Sequence, residues 1–126
     1  MKIRITVGGT TLEADLYENQ TAQAVYDALP FHCEYNTWGN EIYFPVPVPF
    51  HEKPSRDVLE IGELAIWLPG NAFCIFYGST PASKNGEPRA ADITIPFGKI
   101  VGDAAQFKQA KAGKILIEAA GNESLG

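Results

Sequence analysis

The sequence predicts a mainly β domain built from about eight short strands and two helices. Three stretches carry this prediction. Residues 2–16 form an alternating hairpin, residues 64–77 form a second hairpin that is apolar on both faces, and residues 95–118 read as a strand, a turn, a short helix and a closing strand. Alternation is typical of half-buried strands, whereas short apolar runs bounded by turn residues indicate buried strands.

The length and the charge balance limit what this chain can be. With 126 residues and 45% hydrophobic content, residues 1–126 are expected to form one domain with one core. The 10 basic and 15 acidic side chains leave a net charge of −5, and the cations are scattered along the sequence. Because nucleic acids and anionic membranes are bound through clustered cations, neither is expected as a partner.

Cofactor and metal motifs are absent from the sequence. No glycine-rich loop of the phosphate-binding kind is present, so no nucleotide cofactor is expected. Cys33, Cys74, His32 and His51 are the only cysteines and histidines, and they lack the paired spacing of a metal site. The amino-terminal segment alternates instead of forming a signal core, and no apolar run approaches the ~18 residues that span a bilayer. The default expectation is a cytoplasmic protein.

The first half of the chain divides at its glycines and prolines. Gly8-Gly9 supplies the positive φ angles of the first hairpin turn. Residues 21–29 then follow a helical spacing that Pro30 ends, and residues 31–44 read as a strand, a turn and a strand. The next segment, Pro45 to Arg56, contains four prolines and is predicted as an extended arm over the surface, with a polyproline ligand as the alternative.

The second half contains the most apolar segment of the chain. In the hairpin over residues 64–77, side chains such as Leu64 and Ile66 are predicted to face a core, which turns Ala65 and Trp67 outward. An outer apolar face of this size requires a cover. The proline arm, a partner subunit and a ligand are all left open as that cover. Farther on, Asp103 stands at a helix N-cap position before the closing strand.

The order of these elements resembles that of cyclophilins. The segment from Ile95 to Glu118 is similar to the end of a cyclophilin barrel, and Leu16-Tyr17 followed by Thr21-Ala22 is similar to its opening. Together with residues 38–44 and 69–78, these segments resemble the small bacterial and archaeal family of cyclophilin-like proteins, whose function is largely uncharacterised. The resemblance implies a closed eight-stranded cyclophilin-like β-barrel with two short helices.

Cyclophilins lower the ~18–20 kcal/mol barrier to rotation about X-Pro peptide bonds. The resemblance implies an apolar pocket for the proline ring, a polar side chain that fixes the backbone, and an arginine that donates to the imide nitrogen. Candidates for the apolar wall are Trp67, Phe73 and Phe76. The candidate for the backbone contact is Asn71, and the candidates for a hydroxyl at the rim are Tyr43 and Tyr77. Trp38 and Glu41, beside a glycine turn, add an aromatic ring and a charged floor. The alternative is that Trp38 and Tyr43 pack on the barrel while Glu41 caps neighbouring amides.

The expected arginine has no counterpart in the matching segment. Cyclophilins carry it in a Phe-His-Arg sequence, whereas this chain has Phe31-His32-Cys33. Arg56 and Arg89 are the alternatives, and each also reads as an ordinary solvated charge. The catalytic residue is therefore unknown, and whether the protein is an enzyme is uncertain.

Three functional hypotheses follow. The first is a domain that binds a peptide or small molecule in an apolar groove near Trp38, Glu41, Phe73 and Phe76, with weak prolyl isomerisation as its only catalysis. The second is a non-catalytic homodimer that associates through the outer apolar face. The third, implied by the resemblance alone, is an accessory barrel of an amide-processing enzyme.

Overall fold

The computed structural model describes residues 1–110 and 113–120. Within these residues the chain forms ten strands, one α-helix and two short 3-10 helices. The strands are β1 (Lys2–Val7), β2 (Thr10–Leu16), β3 (Phe31–Cys33), β4 (Asn36–Thr37), β5 (Glu41–Pro45), β6 (Arg56–Val58), β7 (Glu63–Trp67), β8 (Ala72–Phe76), β9 (Arg89–Val101) and β10 (Ile115–Ala119). The helix α1 spans Gln20–Ala28, and the 3-10 helices span Leu68–Gly70 and Ala104–Gln109.

The strands form one antiparallel sheet in the order β3-β10-β1-β2-β9-β7-β8-β5-β4, and β6 pairs with β9 beside it. This path is open, because no ladder joins β3 to β4 in the part of the chain that the structure describes. The mainly β class is therefore confirmed, whereas a closed barrel of eight strands is not. Side chains bring the two ends together instead: Phe31 of β3 packs edge-on against Phe44 of β5, with ring centroids 6.2 Å apart.

The main core fills the concave side of the sheet. Phe73 stacks on Phe44 at 5.1 Å and meets Phe97 edge-on at 5.0 Å. The buried residues Ala22 and Val25 of α1 join the same core. This arrangement follows from alternation in the strands and from the i, i+3 spacing of the helix, which place large apolar side chains on one face of each element.

Two local predictions are confirmed, the Gly8-Gly9 turn and the Asp103 cap. Gly8 and Gly9 have φ angles of 50° and 89° in the turn between β1 and β2. The Asn19 side chain caps α1 by accepting from the amide of Ala22 at 2.8 Å. Asp103 caps the last helix by accepting from Ala105 at 3.0 Å. None of the helices in the described residues is long and apolar enough to cross a membrane.

Residues 31–44 differ from the prediction of a single strand, turn and strand. β3 pairs with β10, so Phe31–Cys33 belongs to a different part of the sheet from β5. β5 pairs instead with the two-residue strand β4, across a turn at residues 38–40. The difference arises because the partner of β3 comes from the far end of the chain, and local sequence patterns carry no information about that pairing.

The proline arm forms no helix or strand between Pro45 and Arg56, and part of it enters the main core. Val46 and Val48 are buried at 4% and 7% exposure, while Pro45, Pro47 and Pro49, which alternate with them, are exposed. The Asn71 side chain donates to both valine carbonyls, at 2.7 Å and 2.8 Å. These bonds satisfy two carbonyls that have no partner in a strand ladder, and they hold the arm against the main core.

Candidate functional site

The outer face of β5, β8 and β7 carries a second apolar cluster. As the alternation predicted, Leu64 and Ile66 lie in the main core, whereas Ala65 and Trp67 lie in the outer cluster. The buried members of this outer cluster are Leu59, Ala65, Ala72, Cys74, Phe76 and Ala90, with Tyr43 and Trp67 packed against them. Leu59, which follows β6, and Ala90 of β9 belong to this cluster and cover part of the face, and no described residue of the proline arm is among its members.

Beside that cover the outer face opens into a pocket of about 240 Å³. Its lining consists of two tryptophans, one tyrosine, one carboxylate and two alanines: Trp38, Trp67, Tyr43, Glu41, Ala90 and Ala91. β5 supplies the acid and the tyrosine, the end of β7 supplies one indole ring, and β9 supplies the two alanines. The small side chains of β9 leave the space that the aromatic rings surround.

The turn before β5 positions Trp38. The amide of Trp38 donates to the carbonyl of Glu41 at 2.9 Å, and the amide of Glu41 donates back at 3.2 Å. Gly39 adopts a φ of +60°, and a Cβ atom at this position would lie 2.9 Å from the Thr80 backbone. Only glycine fits this left-handed conformation at such a close approach. The turn is thereby held against residue 80 with the Trp38 ring at the pocket.

Glu41 is the acidic group of the pocket and is only 6% exposed. Burial raises the pKa of the Glu41 carboxyl to about 7, partly offset by a hydrogen bond with the Cys74 thiol. Burial and the neighbouring carboxyl in turn raise the pKa of Cys74 well above its ordinary value, so this thiol stays neutral. A carboxyl of this kind is poised between its charged and neutral forms near neutral pH.

Trp67, which also lines the pocket, has a polar group of its own in the indole ring. Its indole Nε1 is enclosed and has no hydrogen-bond partner among the described residues. A buried donor left unpaired costs free energy. Trp67 thus contributes ring surface to the pocket lining, and Glu41 is the ionisable group among the lining residues.

The structure divides the residues that the sequence singled out. Trp38, Glu41, Tyr43 and Trp67 line one pocket, and Phe76 lies in the outer cluster beside it. The remaining three lie elsewhere: Phe73 is in the main core, the Asn71 side chain donates to the proline arm, and the Tyr77 ring lies 6.2 Å from that of Phe107. A groove that includes Phe73 and Phe76 together is not formed, because residues three apart in a strand face opposite sides of the sheet.

Ala90 and Ala91 are pocket residues that sequence reasoning missed. They stand at the start of β9. Two adjacent small residues next to a strand are a weak signal, and their approach to β5 depends on long-range pairing. Local patterns could not have identified them.

Comparison with known proteins places this architecture in a family. Residues 1–118 match the family model described as Cyclophilin-like. The chain belongs to the cyclophilin-like family. A hypothetical protein from Archaeoglobus fulgidus with a known solution structure is 35% identical to this cyclophilin-like protein, with a TM-score of 0.78 over 95% of each chain.

McbB, whose structure was determined in complex with tryptophan, is 16% identical to the cyclophilin-like chain, with a TM-score of 0.72. The match covers 95% of the cyclophilin-like chain and 45% of the McbB chain, and at this identity it shows a shared fold alone. No curated protein matches the sequence.

The two candidate arginines of the cyclophilin-like protein are both engaged in ion pairs. Arg56 binds Glu63 through two hydrogen bonds of 2.5 Å and 2.9 Å. Arg89 binds Asp57 at 3.0 Å and Glu87 at 2.9 Å. Neither arginine lines the pocket. No group of three or more acidic, histidine or cysteine side chains in the described residues could hold a metal ion.

The Arg56 pair belongs to a buried network rather than to the pocket. Glu63 is fully buried, and it also accepts from the Tyr17 hydroxyl at 2.8 Å and from the Glu60 amide at 2.9 Å. Burial alone would raise the pKa of Glu63, but the bonds from Arg56, the Glu60 amide and Tyr17 hold it below its ordinary value. The Arg56 guanidinium is therefore committed to compensating a buried charge.

Proposed function

We propose that this cyclophilin-like protein is a binding module that holds a small molecule in the pocket between Trp38 and Trp67. The observation that carries the proposal is the composition of the pocket, whose lining includes three aromatic side chains and one buried carboxyl. Ligand sites are typically concave and apolar, with a few placed polar groups that set orientation. The pocket has this character, and its Glu41 carboxyl has a perturbed pKa, as functional sites often do.

The size of the pocket favours a small molecule over an extended peptide. At about 240 Å³ the cavity lies below the ~300–1,000 Å³ typical of sites for drug-sized ligands. It can enclose a single ring or a short branched chain. That a protein of the same fold was solved with tryptophan bound supports small-molecule binding by this architecture, without assigning tryptophan to this protein.

Prolyl isomerisation fits this pocket less well. The reaction needs a cation that donates to the imide nitrogen as its conjugation breaks, and the lining offers a carboxyl instead of a cation. Arg56 and Arg89 would have to abandon their ion pairs to reach a substrate. Binding without isomerisation is therefore the proposed function.

A fluorescence titration tests this proposal directly, because the chain has two tryptophans and both line the pocket. One-ring compounds of differing charge, namely benzyl alcohol, benzylamine and benzoate, serve as probes. At least one is expected to change the emission in a saturable way. Ala91→Leu, which fills part of the cavity, is expected to abolish that change, whereas the matched control Ala28→Leu, exposed at the end of α1, retains it.

Two outcomes would contradict the proposal. One is that none of the three probes changes the emission of the folded protein. The other is that Ala91→Leu binds a probe as tightly as the wild type, which would place binding outside the pocket.

A further inference from the structure

We propose that the ligand of this pocket is a small organic ammonium ion, held with its cationic group against the Glu41 carboxylate and between the rings of Trp38, Tyr43 and Trp67. The inference rests on the proposed function and specifies its ligand class. It is argued from charge, from ring arrangement and from size.

The charge argument begins from the surroundings of Glu41. The group that meets its carboxyl from β8 is the Cys74 thiol, which is neutral. Trp67 lines the pocket from β7, and β9 contributes two alanines. None of the described lining residues is a cation, so an ionised Glu41 is buried without a countercharge. Burying an unpaired carboxylate is costly, and a ligand cation would remove that cost.

The ring arrangement favours the same ligand class. Trp38, Tyr43 and Trp67 line the cavity beside the carboxyl. The face of an aromatic ring attracts cations, and groups of such rings recognise quaternary ammonium compounds. An anionic ligand would be repelled by the ionised acid, and a neutral ligand would leave it unpaired.

The size of the cavity indicates that the ligand carries more than a charged head. A volume of about 240 Å³ exceeds that of a trimethylammonium group, and Ala90 and Ala91 offer an apolar surface for the rest of the molecule. We therefore expect a compact apolar body, such as one ring, attached to the ammonium centre.

The inference also predicts how affinity depends on pH. The cation binds the ionised form of Glu41, whose pKa in the free protein is raised to about 7. For a permanently charged ligand, the fraction of binding-competent protein, and with it the apparent affinity, rises about tenfold from pH 6 to pH 8. Cys74 stays a neutral thiol over this range, so Glu41 dominates the change.

The test compares two probes that differ in one atom. The first is benzyl(hydroxyethyl)dimethylammonium, and the second is the neutral alcohol in which carbon replaces the nitrogen. Binding is measured by tryptophan fluorescence and calorimetry at pH 6 and pH 8, with wild type, Glu41→Gln and the control Glu18→Gln, an exposed residue outside the pocket lining.

The expected result is that at pH 8 the ammonium binds about tenfold or more tightly than the alcohol. Glu41→Gln loses this preference and the pH dependence, while Glu18→Gln retains both. If the alcohol binds as tightly as the ammonium, or if Glu41→Gln keeps the preference, the inference is overturned and small-molecule binding stands. If neither probe binds and the one-ring panel also fails, the proposed function fails with it.

Discussion

Replacing Glu41 by glutamine should change how the stability of this protein depends on pH. Burial raises the pKa of the Glu41 carboxyl from an ordinary value of 4.5 to about 7. A raised pKa means that the folded state holds its proton more tightly than the unfolded chain does. Stability from this group is therefore fully present below about pH 4.5 and is lost as the pH rises toward 7, because folding must then either retain a proton or bury a charge.

The magnitude follows from the size of the shift. Each pKa unit corresponds to about 1.4 kcal/mol, so between pH 5 and pH 8 Glu41 should cost the folded state roughly 2–3 kcal/mol. Glutamine has nearly the same shape and no titrating proton. The free energy of unfolding of Glu41→Gln, measured relative to wild type, should therefore increase by that amount between the two pH values.

Urea denaturation followed by circular dichroism measures both proteins at each pH. Glu18→Gln provides the control, since Glu18 is exposed and its substitution should shift neither curve by more than about 0.5 kcal/mol. A difference between Glu41→Gln and wild type that stays the same from pH 5 to pH 8 would refute the reasoning, because the carboxyl would then not be held protonated by burial.

Two further predictions concern the arginines. Arg56→Met should destabilise the protein by about 2 kcal/mol in urea denaturation, because it leaves the buried Glu63 carboxylate without its guanidinium partner. Adding Glu63→Gln to this variant should recover part of the lost stability. A double variant that is no more stable than Arg56→Met would contradict this reasoning. In a protease-coupled assay on an X-Pro peptide, the protein should not raise the isomerisation rate above the uncatalysed rate. Isomerase activity that Arg56→Ala or Arg89→Ala abolishes would contradict this and show that the protein is an isomerase.

Local patterns predicted much of the fold because its hairpins and caps are encoded by neighbouring residues. The pair Gly8-Gly9 specifies its turn, Pro30 follows the end of α1, and Asp103 caps the last 3-10 helix. The long-range pairing of β3 was not predictable in the same way. β3 finds its partner in β10, more than eighty residues away, and such pairing leaves no signature in either segment alone.

The candidate site was predictable to the extent that it lies on neighbouring strands. Trp38, Glu41 and Tyr43 come from one turn and strand, so their proximity follows from the sequence. Phe73 was assigned to the same groove as part of the apolar wall that the family resemblance implies, but alternation turns it into the main core. Ala91 was not identified because its place in the pocket depends on how β9 crosses the sheet.

The most direct test of the central claim is a nuclear magnetic resonance titration that follows the indole N–H signals. The chain has two tryptophans, so two such signals are expected, and both report on the pocket. Adding benzyl(hydroxyethyl)dimethylammonium at pH 8 should shift both signals along saturable curves with one shared dissociation constant. Indole signals that stay fixed while other parts of the spectrum move would contradict the claim that this pocket is the binding site.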